Sequence, residues 1–166
     1  MTAKRITSFL IALILTLSLA ACGAKGDTYR DDVSVGTLSD AIEAKIPVTG
    51  GYIFSEADFL TYYFNGNTAI DAFAIASSAE SSDVNEYGIL HVNDPAQVQE
   101  VAEMAEVYLS NQRDFLSTFV NTYNAAEMAK LEAMRVEVYG NYVIFTILSE
   151  ADTATVFAAA EDMLKQ

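Results

Sequence analysis

The pattern of apolar and polar positions divides the chain into an apolar leader, a polar connector and a domain in which helical and strand periods alternate. Residues 6–21 form a largely apolar run that follows Lys4 and Arg5. Residues 23–36 are polar and show no sustained apolar period. Regular patterns begin at Thr37, so we expect the folded domain to occupy residues 37–166.

Helical spacing recurs several times within that domain. Thr37 is predicted to cap a first short helix and Ser55 to begin a second, because Ser and Thr are favoured at the N-cap. Ser149 is predicted to cap the last helix, and a short segment is expected at residues 125–131.

The longest helix is predicted to open at Asp94-Pro95, because proline is well suited to the first helical position. At 100° per residue, its acidic residues fall opposite its apolar ones. We therefore expect one face to pack on the domain and the other to face solvent. The expected packing face comprises Val98, Val101, Ala105, Tyr108, Leu109, Gln112, Phe115, Leu116 and Phe119.

Two pairs of apolar runs predict two β-hairpins. Residues 69–76 and 86–92 flank a Ser-rich acidic loop, and residues 136–139 and 142–148 flank Gly140-Asn141, a two-residue hairpin signal. The run 142–148 is apolar at both alternating sets of positions, which favours an interior strand.

These elements predict an α+β fold of two layers, in which a four-stranded antiparallel sheet made of two hairpins packs with helices. The order hairpin then helix occurs twice, but the two units share no further residue pattern. An internal duplication is therefore not favoured.

The leader has the features of a bacterial lipoprotein signal. Basic residues, an apolar run and small residues before a cut are typical of secretory signals, and here Leu19-Ala20-Ala21 precede Cys22. We predict a signal peptide at residues 1–21, lipid attachment such as palmitate at Cys22, and a flexible tether at residues 22–36. The alternative, an uncleaved anchor helix, is disfavoured because the apolar run is shorter than the roughly 20 residues that span a bilayer.

Composition narrows the possible partners. Without the signal, seven basic and 23 acidic side chains remain, a charge of −16. Nucleic-acid binding relies on clustered Lys and Arg and is excluded on this ground. Anionic headgroups would also repel the domain, so we expect the lipid on Cys22 to hold it at the extracytoplasmic face of the cell membrane.

Catalytic and metal-binding motifs are missing from the sequence. Cys22 is the only cysteine and His91 the only histidine, so the chain can form neither an internal disulfide nor a two-histidine metal site. No nucleophile elbow, zinc-protease motif, phosphate loop or EF-hand spacing occurs. We therefore predict no catalytic residue, no metal site and no cofactor. An acidic run at Glu100, Glu103 and Glu106 is interpreted as a solvated face, with weak divalent-cation binding there or at Asp31-Asp32 as the alternative.

Arg113 is one candidate for contacting a ligand or partner. It is the only basic residue between Lys45 and Lys130, and no carboxylate lies three or four positions from it. A pair within its own helix is therefore not expected. We expect the guanidinium to reach a carboxylate of the sheet or a loop, or else a ligand.

An aromatic-rich stretch at residues 52–64 supplies the other candidates. Core packing accounts for most of these rings, whereas exposed tyrosines offer contact area for sugars or peptides at low entropic cost. Tyr52 and Tyr62 are the members we expect to be exposed.

The chain resembles the lipoproteins of Gram-positive bacteria that carry domain of unknown function 4358. The similarity covers most of the chain after the signal. It rests on Cys22, on Asn85-Glu86-Tyr87-Gly88-Ile89, on Tyr108, Arg113 and Phe115 in the long helix, and on Gly140-Asn141-Tyr142-Val143. The sequence departs from the family pattern where Tyr123 is followed by Asn124-Ala125 rather than by a proline. The resemblance implies an extracytoplasmic lipoprotein with no known activity and no catalytic residue.

Together these features predict a non-enzymatic binding or accessory module anchored to the membrane, with a protein or a small envelope ligand as its partner. Two alternatives stay open. The chain could be a wall-active hydrolase with an acid pair, or a structural subunit of a membrane-associated complex that would expose an apolar patch.

Overall fold

The computed structural model describes residues 28–48, 56–80 and 82–166. The predictions for the signal peptide, Cys22, Tyr52 and the cap at Ser55 lie outside these residues. Among the described residues there are five α-helices and four strands, in the following order. They are α1 (Val35–Glu43), α2 (Glu56–Tyr63), β1 (Ile70–Ser77), β2 (Glu86–Val92), α3 (Val98–Tyr123), α4 (Met128–Glu132), β3 (Arg135–Tyr139), β4 (Tyr142–Ile147) and α5 (Glu150–Leu164).

The four strands form one open antiparallel sheet with the order β1-β2-β4-β3. Each predicted hairpin is present, and Gly140 turns the second one at a positive φ of 59° that glycine adopts without strain. Every residue of β4 is buried, as its continuous apolar run predicted, and β3 lies at an edge of the sheet. The predicted α+β class with a four-stranded antiparallel sheet is confirmed.

The number of layers differs from the prediction, because helices cover both faces of the sheet. Strand side chains alternate between two separate cores, so Leu90 of β2 packs with α2 and α3, whereas Tyr87 and Ile89 pack with α1 and α5. The structure therefore has three layers, helices–sheet–helices, instead of the expected two. The apolar residues of both alternating sets on β2 and β4 already carried this signal, since a strand buried on both faces needs a cover on each.

Gly88 sets the position of α3 on this sheet. A Cβ atom at Gly88 would lie 2.1 Å from the ring of Phe145, on the neighbouring strand. The missing side chain lets the Phe145 ring lie across β2, where it contacts the ring of Tyr108 with centroids 5.2 Å apart. This contact fixes Tyr108 over the sheet.

Part of the predicted tether is folded onto the domain. Tyr29 forms a bridge with Lys165, the Arg30 amide donates to the Leu164 carbonyl at 2.7 Å, and Val33 is buried. The first helix also begins earlier than expected, at Val35, because Ser34 rather than Thr37 is its N-cap. From Thr28 onward, the stretch assigned to a tether thus belongs to the domain.

The sheet has two distinguishable ends. We call the end with the Gly140-Asn141 turn the hairpin end, and it includes Val92. The residues from Thr28 to Val33 lie against this end, because the Tyr142 hydroxyl donates to the Val33 carbonyl at 2.6 Å. The opposite end, here the loop end, is where residues 78–85 connect β1 to β2. Helix α3 starts beside the hairpin end and finishes at the loop end, where Asn124 Nδ2 donates to the Ser82 carbonyl at 2.9 Å.

Candidate functional site

Helix α3 is longer than the sheet on which it packs. Its 26 residues extend about 39 Å at about 1.5 Å per residue, whereas the seven residues of β2 span only about 23 Å. The apolar stripe of the helix is buried from Val98 as far as Leu109, and Val120 is the one buried residue after it in α3. The stripe thus continues beyond the surface that could cover it.

Three aromatic side chains stand exposed on this projecting half. Phe115 is 79% exposed, Phe119 39% and Tyr123 73%, and a spacing of four residues places them in one row along the helix. The rings of Phe119 and Tyr123 lie 4.9 Å apart. We call these three residues the aromatic ridge.

The helical period predicts that Phe115 and Phe119 lie on the packed face of α3, and this prediction is wrong because both rings are exposed. On this half of the helix the core still covers Leu116 and Val120, but it does not extend to the side on which Phe115 and Phe119 lie. Periodicity identifies an apolar face without showing how far its partner extends. The helix length compared with the strand lengths was the signal that could have revealed the ridge.

The stretch of sequence that contains the ridge is uncharged. Residues 115–126 contain no charged side chain, whereas Glu100, Glu103 and Glu106 lie on the first half of the same helix. The last turn of α3 has no basic residue either. Its terminal carbonyls, which hold the negative end of the helix dipole, are thus not neutralised by a side chain of that turn.

A buried polar pair marks the point where α3 leaves the sheet. The Tyr108 hydroxyl donates to Glu86 Oε1 at 2.6 Å, and Glu86 is the first residue of β2 at the loop end. Although part of Glu86 reaches the surface, desolvation raises the pKa of its carboxyl group to about 7, and the hydrogen bond from Tyr108 only partly opposes this shift. Burial also raises the pKa of Tyr108, with the Glu86 charge adding to the effect.

A second polar cluster braces the loop end beneath the projecting half of α3. Lys130 Nζ lies 2.7 Å from Glu127 Oε2 and 3.0 Å from Asp83 Oδ1. Burial lowers the pKa of Lys130, but its hydrogen bonds to the two carboxylates outweigh burial and raise it. Glu127 also accepts from the Val84 amide at 3.1 Å, so one cluster joins the β1–β2 loop to α4.

Arg113 makes a different contact from the one expected. Its Nε donates to the main-chain carbonyl of Leu131 at 3.2 Å, and within the described part of the chain it forms no ion pair with a carboxylate. Arg113 lines a pocket of about 370 Å³ together with Glu106 and Arg135. Its role in binding a ligand stays a prediction.

Tyr62 lies on α2 and is 75% exposed, as expected for a contact residue. Among the described residues, no ring contact or hydrogen bond joins Tyr62 to Arg113, so the structure does not bring the two candidates together. A ligand role for Tyr62 also remains a prediction.

His91 links the first described residues to the sheet. Its Nδ1 lies 2.6 Å from Asp71 Oδ1 and its Nε2 lies 2.9 Å from Asp31 Oδ1. Burial lowers the pKa of His91, but hydrogen bonds to the two aspartates outweigh it and raise that pKa above its ordinary value. The ring contacts Tyr142 at 4.9 Å, so this histidine is packed at the rim of the hairpin end.

Within residues 28–48, 56–80 and 82–166, no cluster of three or more His, Cys, Asp or Glu side chains could hold a metal ion. None of the helices in that part of the chain has the length and apolar character required to cross a bilayer.

Comparison with known proteins identifies one match. Residues 55–148, more than half of the chain, match the family model described as Domain of unknown function (DUF4358). No curated protein and no solved structure matches the chain. The matched segment runs from α2 to the end of β4 and includes both the ridge and the Glu86–Tyr108 pair.

Proposed function

Because this chain belongs to the DUF4358 family, whose description assigns no activity, we propose its function from its own residues. The protein is a lipoprotein of a Gram-positive bacterium, and a lipid on Cys22 holds it at the extracytoplasmic face of the cell membrane. There it serves as a non-enzymatic binding or accessory module.

The leader carries this proposal. Lys4 and Arg5 precede an apolar run that ends in Leu19-Ala20-Ala21-Cys22, the order of a basic region, an apolar region and a cut before a cysteine. A cysteine at that position is the acceptor of the lipid in such signals. The absence of other cysteines from the sequence leaves Cys22 as the one possible thioether site.

The fold supports a short connection between this anchor and the domain. The segment that begins at Thr28 already packs against the hairpin end, so only five residues separate it from Cys22. At about 3.3 Å per extended residue, the six steps from Cys22 to Thr28 reach at most about 20 Å. The hairpin end would then face the membrane.

The competing proposal of an acid-pair hydrolase has a weaker basis. Glu132 and Glu150 line one pocket of about 480 Å³, which gives two carboxylates on a shared cleft. Glu86, whose carboxyl pKa is raised to about 7, does not line that pocket and is bonded to Tyr108. Inverting and retaining glycosidases place an acid of raised pKa and a second carboxylate about 5 to 10 Å apart around one cleft. In this protein the carboxyl group of raised pKa, Glu86, is not in the pocket that holds Glu132 and Glu150.

Lipid labelling of the full chain tests the proposal. The chain is produced in a bacterium that processes lipoproteins and is fed an alkyne-bearing palmitate. We expect label in a membrane-bound product whose mass corresponds to a chain beginning at Cys22 plus lipid. Cys22→Ser should abolish the label, whereas Ser18→Ala, a matched small change in the leader, should preserve it.

Two results would refute this proposal. One is label that persists in Cys22→Ser, which would place the lipid elsewhere. The other is an unlabelled membrane product that retains residues 1–21, which would identify the leader as an uncleaved anchor.

A further inference from the structure

We propose that the aromatic ridge of Phe115, Phe119 and Tyr123 is a docking surface for a partner protein, and that it binds a helical segment with an apolar face bordered by basic residues. The exposure of the ridge does not depend on the anchor. Only its presentation away from the membrane rests on the proposed lipid attachment.

The apolar part of the proposal follows from exposure. Aromatic side chains bury about 150–250 Å² each, and Phe115 and Tyr123 are more than 70% exposed. Solvated aromatic clusters of this kind cost free energy in water and are characteristic of interaction sites. Their i, i+4, i+8 spacing gives a straight row about 12 Å long, which suits the groove between side chains of a second helix.

The basic residues that we expect on the partner follow from the charge of this protein. The row itself is uncharged, but the negative end of the α3 dipole lies at Tyr123, and the chain has a formal charge of −14 at pH 7. A partner with Lys or Arg beside its apolar face would be attracted to this domain, and an acidic partner would be repelled.

The ridge is also preorganised. Val120 is buried beneath the projecting half of α3, and Asn124 is bonded to Ser82 at the loop end. The Lys130–Asp83–Glu127 cluster holds the loop and α4 together under the same half. Binding to a surface that is already fixed requires little further ordering.

The position of the ridge disfavours the bilayer as its occupant. The ridge is at the loop end, whereas Thr28 and the residues that lead back to Cys22 are at the hairpin end. The sheet, which spans about 23 Å, separates the two ends. A domain held through Thr28 therefore presents the ridge away from the membrane to which it is attached.

Charge disfavours a second copy of this chain as the occupant, because two copies carry the same acidic charge and would repel each other.

Site-specific photocrosslinking tests the ridge on the full lipidated chain in membranes. Benzoylphenylalanine replaces Phe115, and the matched control carries it at Tyr62, which is 75% exposed on α2. The probe is a synthetic amphipathic helical peptide with a Leu face and a Lys face. A second peptide has the same Leu face, with Glu in place of Lys.

We expect the basic peptide to crosslink at position 115 about tenfold more than at position 62, and about tenfold more than the acidic peptide does at position 115. Phe119→Ser in the Phe115-labelled chain should reduce the adduct several-fold, because it removes the middle of the row without changing the charge. Tyr123→Ser provides an independent second variant with the same expected result.

Other products would overturn the proposal. Equal crosslinking at positions 115 and 62 would indicate attraction to the acidic domain as a whole. A dominant adduct of twice the chain mass would identify a second copy as the occupant, and a dominant lipid adduct would identify the bilayer. Equal yields with the basic and acidic peptides would refute the charge argument.

The outcome does not depend on the lipid-labelling experiment. If Cys22 carries no lipid but the basic peptide crosslinks at position 115, the proposed anchor fails and the docking surface stands. If lipid is present and crosslinking fails at position 115, only the docking surface is refuted.

Discussion

Residues 98–109 and 110–123 are the two halves of one helix, with the same apolar period but different surroundings. In the first half the stripe is buried against Phe145 and Leu90 of the sheet. In the second half Val120 is buried and Phe115, Phe119 and Tyr123 are exposed. The difference arises because α3 continues for several turns beyond the last sheet residues it can cover.

One apolar pattern thus serves two purposes along α3. Up to Leu109, the stripe contributes to the stability of the fold. Beyond it, Phe115, Phe119 and Tyr123 contribute little to folding because they remain in water, whereas Leu116 and Val120 still pack on the core. The Glu86–Tyr108 hydrogen bond lies close to the boundary between these two parts.

The largest effect is expected where the stripe is covered. Leu109→Ala should lower the free energy of unfolding by about 2–5 kcal/mol, because it removes buried methyl groups and leaves a cavity. Phe115→Ala, in the exposed half, should change it by less than about 0.5 kcal/mol. Urea unfolding of both variants measures the contrast, and equal losses would contradict the division of α3 into two parts.

The boundary pair should make stability depend on pH. The folded-state pKa of Glu86 is raised to about 7 from an ordinary value of 4.5, so the folded chain holds a proton that the unfolded chain has released in this range. The contribution of Glu86 to the free energy of unfolding is therefore fully present below about pH 4.5. It is lost as the pH rises towards 7, and this loss amounts to at most about 3 kcal/mol.

Glu86→Gln tests this pH dependence, because glutamine does not ionise and can still accept the Tyr108 hydrogen bond. Between pH 4.5 and 7.5, the urea midpoint of unfolding should fall more steeply with rising pH for the unmodified chain than for the variant. Parallel curves would show that the pKa of Glu86 is not raised in the folded chain.

A smaller effect is expected in the projecting half. Val120→Ala removes two buried methyl groups at about 0.8 kcal/mol each, so unfolding free energy should fall by about 1.5 kcal/mol. Amide hydrogen exchange should quicken at residues 115–123 more than at residues 98–109, because Val120 holds that half in place. Uniform acceleration along α3 would show that the helix responds as one unit.

Much of the architecture could be predicted because its signals are local. Gly140-Asn141 between two apolar runs is a hairpin signal in itself, and Ser149 and Asp94 are caps whose side chains accept from nearby amides. The third layer was not predicted, although Tyr87 and Leu90 point to opposite faces of β2. Assigning separate helices to each face requires contacts between residues distant in sequence.

The candidate surface was less predictable than the fold. Exposure of Phe115 depends on where the sheet ends, which no residue near position 115 encodes. Likewise, Arg113 was expected to find a carboxylate, yet it donates to the Leu131 carbonyl, because a main-chain oxygen leaves no side-chain signature in a sequence.

The contact between Gln166 and Thr28 has a practical consequence for labelling. The Gln166 amide donates to the Thr28 carbonyl at 3.0 Å, so the last residue lies beside the first described one. A fluorophore or affinity tag joined after Gln166 would therefore sit at the hairpin end and leave the loop end clear. Distances measured from such a label to position 115 would run the length of the domain.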